Sequence, residues 1–134
     1  MAYYPDTSIC IYYLKGLYPC LFEKIHSHTV SEIKIAFIVK TELLYGAAKS
    51  KKGEDNSARV EQFLLPFEVI PFDSRAAEIY ARIRSGLAKK GTPVGLNNLI
   101  IASTVIANNG TLITNNEKEF RRIKDLQIEK WAAG

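Results

Sequence analysis

The sequence predicts a three-layer α/β domain, with a parallel sheet of roughly five strands flanked by helices on both faces. Three observations predict it. Short apolar runs alternate with longer amphipathic stretches, the order expected of parallel strands joined by crossover helices. The stretch 99–107 is apolar almost all round, as in a helix buried between layers. The chain has 134 residues, 47% of them hydrophobic, enough for a sizeable core in one domain spanning 1–134.

The elements follow in order. Residues 3–5 form a short apolar approach to Asp6, and the residues after it read as a helix that Asp6 can cap. Residues 33–38 are a strand candidate, followed by a helix to about Lys49. The polar stretch 49–56 reads as a helix–helix loop, and 59–65 as helical. Residues 67–70 form a strand closed by Pro71. Ala76, Tyr80, Ile83 and Leu87 then recur at helical spacing, with Asp73 or Ser74 as cap and Gly91 as stop. Asn97 or Asn98 can cap the helix 99–107. Residues 111–114 form a strand, 117–123 a short helix and 126–129 a last strand.

Composition narrows the function classes. No apolar run reaches the roughly 18–20 residues a bilayer span needs. The first residues lack a basic segment followed by a long apolar one, so a cytoplasmic protein is expected. Cys10 and Cys20 both lie in apolar stretches and are expected to be buried thiols. His26 and His28 are expected at the surface, since two histidines without further ligands argue weakly for zinc. A net charge of +4 and a pI near 9.1 favour a polyanionic partner. A phosphate-cradling nucleotide binder is disfavoured, because no glycine-rich loop follows the first strand.

In a parallel sheet, ligands bind beyond the carboxyl ends of the strands. Asp6 follows the first strand, Glu42 lies one turn into the helix after the second, and Asn115 and Asn116 follow the strand 111–114. Oxygen ligands gathered at one end of a sheet suit a hard cation such as Mg²⁺. Carboxylates brought together from distant parts of a chain are costly unless a cation neutralises them.

Four segments, in order, carry a family resemblance: Asp6-Thr7-Ser8-Ile9-Cys10-Ile11-Tyr12, Thr41-Glu42-Leu43-Leu44-Tyr45-Gly46, Lys90-Gly91-Thr92-Pro93-Val94-Gly95, and Thr114-Asn115-Asn116-Glu117-Lys118-Glu119-Phe120. The ending Ile128-Glu129-Lys130-Trp131 fits as well. The chain resembles the PIN-domain ribonucleases, specifically the VapC toxins of toxin–antitoxin pairs.

The resemblance implies a PIN domain with an acidic pocket for Mg²⁺ or Mn²⁺. Asp6 matches the first acidic ligand and Glu42 the second. Asn98 falls at the third, normally aspartate, and Asn116 at the fourth. Glu119 falls where many of these toxins keep a further glutamate, and Thr114 matches a hydroxyl residue beside the site. The implied metal ligands are Asp6, Glu42 and Asn98, with Asn116 and Glu119 completing the catalytic set. The chemistry implied is hydrolysis of RNA to 5′-phosphate and 3′-hydroxyl ends.

Some positions depart from the family. Asn98 replaces an aspartate, Leu96 a common proline, Ser8 a usual asparagine and Val39 a serine or threonine. An amide keeps one oxygen but removes the charge, so weakened metal affinity and low activity are expected. The alternative is a catalytically impaired module that binds antitoxin or RNA without cutting. The resemblance also implies a homodimer and a VapB-like antitoxin whose arginine enters the acidic site. Ile9, Tyr12, Tyr13 and Phe22 are candidates for that interface. Lys15, Lys40, Lys49, Lys51, Lys52, Arg82, Lys89 and Lys90 could contact RNA phosphates, and Tyr12, Tyr13 and Tyr45 could stack on bases.

Overall fold

The computed structural model describes residues 1–132. Five short parallel strands alternate with helices. They are β1 (Tyr3–Pro5), β2 (Lys34–Ala36), β3 (Glu68–Ile70), β4 (Thr111–Ile113) and β5 (Gln127–Glu129). β4 pairs with β1 and β5, β2 pairs with β3, and a parallel Tyr3–Ile33 bridge joins the two ladders. The strand order is therefore 3-2-1-4-5, and β1 stands in the middle, where the winding reverses. All five carboxyl ends point the same way. The expected α/β class with a five-stranded parallel sheet holds.

The helices are α1 (Thr7–Leu14), α2 (Pro19–His26), α3 (Phe37–Ala48), α4 (Gly53–Leu64), α5 (Ser74–Lys90), α6 (Leu96–Ala107) and α7 (Glu117–Phe120). Strand side chains alternate between two cores. Tyr4, Ile35 and Leu112 pack with Val39, Leu99 and Val105. Tyr3, Ile33 and Ile113 pack with Ile9, Leu21, Ile25 and Trp131. Helices therefore cover both faces. α6 carries seven buried residues, as its nearly all-round apolarity predicted.

Two caps match the sequence reading. The Asp73 carboxylate accepts from Ala76 N–H at 3.0 Å, and Gly91 ends α5 at φ +68°, a left-handed conformation glycine adopts without strain. Other expectations need correction. The strand expected at 33–38 gives way to helix at Phe37, because its partner β3 offers only three paired residues. α4 starts at Gly53, inside the expected 49–56 loop, with Glu54 and Asp55 favourably placed near the helix N-terminus.

α6 begins three residues earlier than expected. Gly95 takes the cap position, and Leu99 N–H donates to its carbonyl at 2.9 Å. The Asn97 and Asn98 side chains are thereby released from capping. α7 ends at Phe120 instead of reaching Ile123. Cys10 is buried as expected, but Cys20 is only half-buried. His28 is half-buried too, stacked on the Trp131 indole with ring centroids 4.9 Å apart. Ile9 is fully buried in the second core, so it cannot serve an interface, whereas Phe22 is well exposed. No helix among the described residues is long and apolar enough to cross a membrane.

Candidate active site

The register of the sheet places Asp6 beside Thr114. Pro5 pairs with Ile113, and Asp6 N–H extends the ladder by donating to the Ile113 carbonyl at 2.9 Å. The next residue on each strand then turns to the same end of the sheet. Asp6 is 5% exposed. Its Oδ1 accepts from Ile9 N–H at 2.9 Å, so it does cap α1. Its Oδ2 accepts from the buried Thr114 hydroxyl at 2.6 Å. Capping and a role in a site are therefore compatible. Burial pushes the Asp6 carboxyl above its ordinary range, and the charge of Glu42 pushes it the same way. The bonds from Thr114 and Ile9 pull against this.

Glu42 approaches from α3, directly after β2. Its Oε1 accepts from Thr7 Oγ1 at 2.5 Å and its Oε2 from Asn97 Nδ2 at 2.9 Å. Each carboxylate oxygen is thus oriented by one donor, and further lone pairs stay available. In the sequence, Asn97 stands out only as a helix cap and Thr7 only within a segment that carries the family resemblance. The signal was present in two polar doublets, Asp6-Thr7 after a strand and Asn97-Asn98 after a glycine. Gly95 likewise stands there only as the end of a resemblance segment.

Asn98 and Asn116 meet at Glu119, not at Asp6. Asn98 Nδ2 donates to Glu119 Oε1 at 3.3 Å and Asn116 Nδ2 to Oε2 at 3.1 Å. Gly95 N–H donates to Oε1 at 2.6 Å and does most to hold the Glu119 carboxyl below its ordinary range. Asn116 N–H also donates to Thr114 Oγ1 at 2.9 Å, linking the two halves of the site. Two neighbours stand apart. Glu117 pairs with Arg121 at 3.5 Å, and Asn115 turns away to donate to the Ala132 carbonyl.

The donor set is all oxygen, as a hard cation requires. Asp6 and Glu42 form a mutually repelling pair. The ion pairs among the described residues (His28–Glu32, Lys34–Glu68 and Arg121–Glu117) involve neither of them. Those two carboxylates are the charged groups that would hold a divalent ion, while the Asn98 amide is engaged with Glu119. Among the described residues, no three His, Cys, Asp or Glu side chains converge as a metal-holding group. This agrees with amides standing at 98 and 116.

The PIN domain family model matches residues 3–126. The chain is also 40% identical over 132 residues to ribonuclease VapC2 of Rickettsia felis, covering 98% of each chain. It belongs to the PIN-domain family, among the VapC ribonucleases. The tRNA(fMet)-specific endonuclease VapC of Salmonella typhimurium is 40% identical over 126 residues, covering 94% of this chain and 95% of its own. Two solved relatives share the fold closely. VapBC2 of Rickettsia felis, bound to a promoter DNA fragment, aligns with TM-score 0.90 and 39% identity, over 98% of this chain and 99% of the other. DNA-bound VapBC of Salmonella typhimurium aligns with TM-score 0.92 and 37% identity, over 98% of both.

Proposed function

We propose that this chain is the toxin of a type II toxin–antitoxin pair and an Mg²⁺-dependent endoribonuclease, with Mn²⁺ able to substitute, weakened by Asn98. The observation that carries the reading is the Asp6–Glu42 pair. It is a buried carboxylate repelled by a second one, and among the described residues neither takes part in an ion pair. Such a pair is costly unless a bound cation offsets the repulsion.

When held by Asp6 and Glu42, Mg²⁺ would lower the pKa of a bound water and offset charge on the scissile phosphodiester. The protein's part is orientation. Ile9 N–H and the Thr114 hydroxyl fix both oxygens of Asp6, and Thr7 and Asn97 fix both of Glu42. Neither carboxylate must lose side-chain freedom when an ion arrives. Asn98 offers its amide oxygen without a charge. No nucleophilic side chain is required, and the products carry 5′-phosphate and 3′-hydroxyl ends.

Substrate and partner follow from the relatives. Those named tRNA(fMet)-specific endonucleases make tRNA the first substrate class to assay. A groove of about 380 Å³ beside Glu42 carries Lys15 and Arg59 on its wall, and both could hold flanking phosphates. Arg59 is anchored by its bond to the Leu14 carbonyl at 2.7 Å. The VapBC complexes among the solved relatives support a VapB-like antitoxin as partner. The second reading, a PIN module that binds antitoxin or RNA without cutting, is favoured by the amides at 98 and 116 being occupied with Glu119.

The test is Mn²⁺ titration and RNA cleavage with three chains: the parent, Asp6→Ala and Asn98→Asp. Asp6→Ala should abolish ion binding and cleavage, and Asn98→Asp should raise both. Cleavage surviving Asp6→Ala would refute the proposed centre. Equal activity with Asn and Asp at 98 would refute the weakening, and no cleavage from any chain would favour the binding module.

A further inference from the structure

Glu119 satisfies its charge quite differently from Asp6 and Glu42. Three N–H donors converge on its two oxygens, from Gly95 at 2.6 Å, Asn116 at 3.1 Å and Asn98 at 3.3 Å. These donors sit on separate segments. Gly95 and Asn98 open α6, while Asn116 stands at the corner between β4 and α7. A second tie reinforces the first, since Arg122, just past α7, donates to the Pro93 carbonyl at 2.6 Å. The approach is close enough to constrain residue 95. A Cβ there would stand 3.3 Å from Glu119 Oε1. The three donors to Glu119 are uncharged, and the nearby Arg122 guanidinium adds a smaller favourable charge.

We infer that Glu119 is a positioning residue, a metal-independent strut that holds the start of α6 against the β4–α7 corner, with Asn98 and Asn116 as its matched donors. Two amides and a backbone N–H converge on one carboxylate, and the 2.6 Å bond from Gly95 is short enough to be strongly charge-assisted. A carboxylate at 98 could not donate. It would set a second anion beside Glu119 and break the strut. The strut matters to the candidate site because the same first turn of α6 carries Asn97, which orients Glu42. Asparagine at 98 and 116 is therefore not merely a lost ligand. It lets the pocket hold its shape with no ion bound. The inference rests on the proposed ion site only for that consequence.

Thermal unfolding in EDTA, without RNA or antitoxin, tests the strut directly. Glu119→Ala should lower Tm by roughly 4–8 °C, as should Asn98→Asp. Asn98→Ala should lose less than Asn98→Asp, because it removes the donor without setting a second anion beside Glu119. A metal-ligand role gives the opposite sign, since removing a ligand carboxylate relieves repulsion in the ion-free protein and raises Tm. An unchanged or raised Tm in Glu119→Ala, or an Asn98→Ala variant no more stable than Asn98→Asp, would overturn the inference.

Water-proton relaxation with Mn²⁺ gives a readout that loss of stability alone does not move. A strut predicts several-fold weaker binding in Glu119→Ala, with the number of ion-bound waters unchanged. One additional water would make Glu119 a ligand and overturn the strut. If the parent chain binds no Mn²⁺, the ion reading fails, and the melting comparison in EDTA still decides the strut.

Discussion

Thr114→Val is the most revealing substitution near Asp6, because it removes one hydroxyl and almost no volume. The parent hydroxyl donates to Asp6 Oδ2 at 2.6 Å and accepts from Asn116 N–H at 2.9 Å, and Thr114 is fully buried. Losing a bond to an ionised carboxylate costs about 1.5–3 kcal/mol, and the backbone N–H loses a partner worth about 1 kcal/mol. The sum is about 3 kcal/mol, or a fall in Tm on the order of 10 °C. The cost should depend on pH. The folded Asp6 carboxyl titrates above its unfolded value, so its ionisation costs stability as pH rises through the folded pKa. The Thr114 hydroxyl moderates that rise, and removing it raises the folded pKa further. Urea unfolding at pH 4 and pH 8 should therefore show a difference of about 1 kcal/mol at the lower pH, where Asp6 is more protonated. At the higher pH the difference should grow to about 3 kcal/mol. Thr114→Ser keeps the hydroxyl and should show little of this dependence. A loss independent of pH, or an equal loss in Thr114→Ser, would refute the Asp6–Thr114 coupling.

Two further outcomes follow. Asn97→Ala leaves Glu42 with Thr7 alone, so Mn²⁺ affinity measured by calorimetry should fall several-fold, while urea stability changes by less than about 1 kcal/mol because Asn97 is exposed. Gly110→Ala should destabilise by about 1–3 kcal/mol in urea, because a Cβ there would overlap the Tyr4 ring between β1 and β4.

Much of the fold was legible because it is written in local periodicity. The apolar runs located every strand, and the caps at Asp73 and Gly91 bounded α5. Boundaries failed where a side chain was engaged elsewhere. Asn97 and Asn98 look like caps in isolation, yet they belong to Glu42 and Glu119, and Gly95 takes their place. His28 reads as a surface residue until the chain end returns Trp131 to stack on it.

The sequence by itself determined the α/β class, the family and the location of the polar groups at one end of the sheet. Hydrophobic patterning carries the class and the end of the sheet, and the four motif segments carry the family resemblance. Only the tertiary structure decided how the charges are shared. Hydrogen bonds between residues 35, 55 and 108 positions apart in sequence assign Thr7 and Asn97 to Glu42 and Thr114 to Asp6. The same long-range packing separates Glu119 from Asp6, giving one carboxylate three N–H donors and leaving the other buried beside a second negative charge. Burial and donor geometry set these states, and both arise only when distant segments meet.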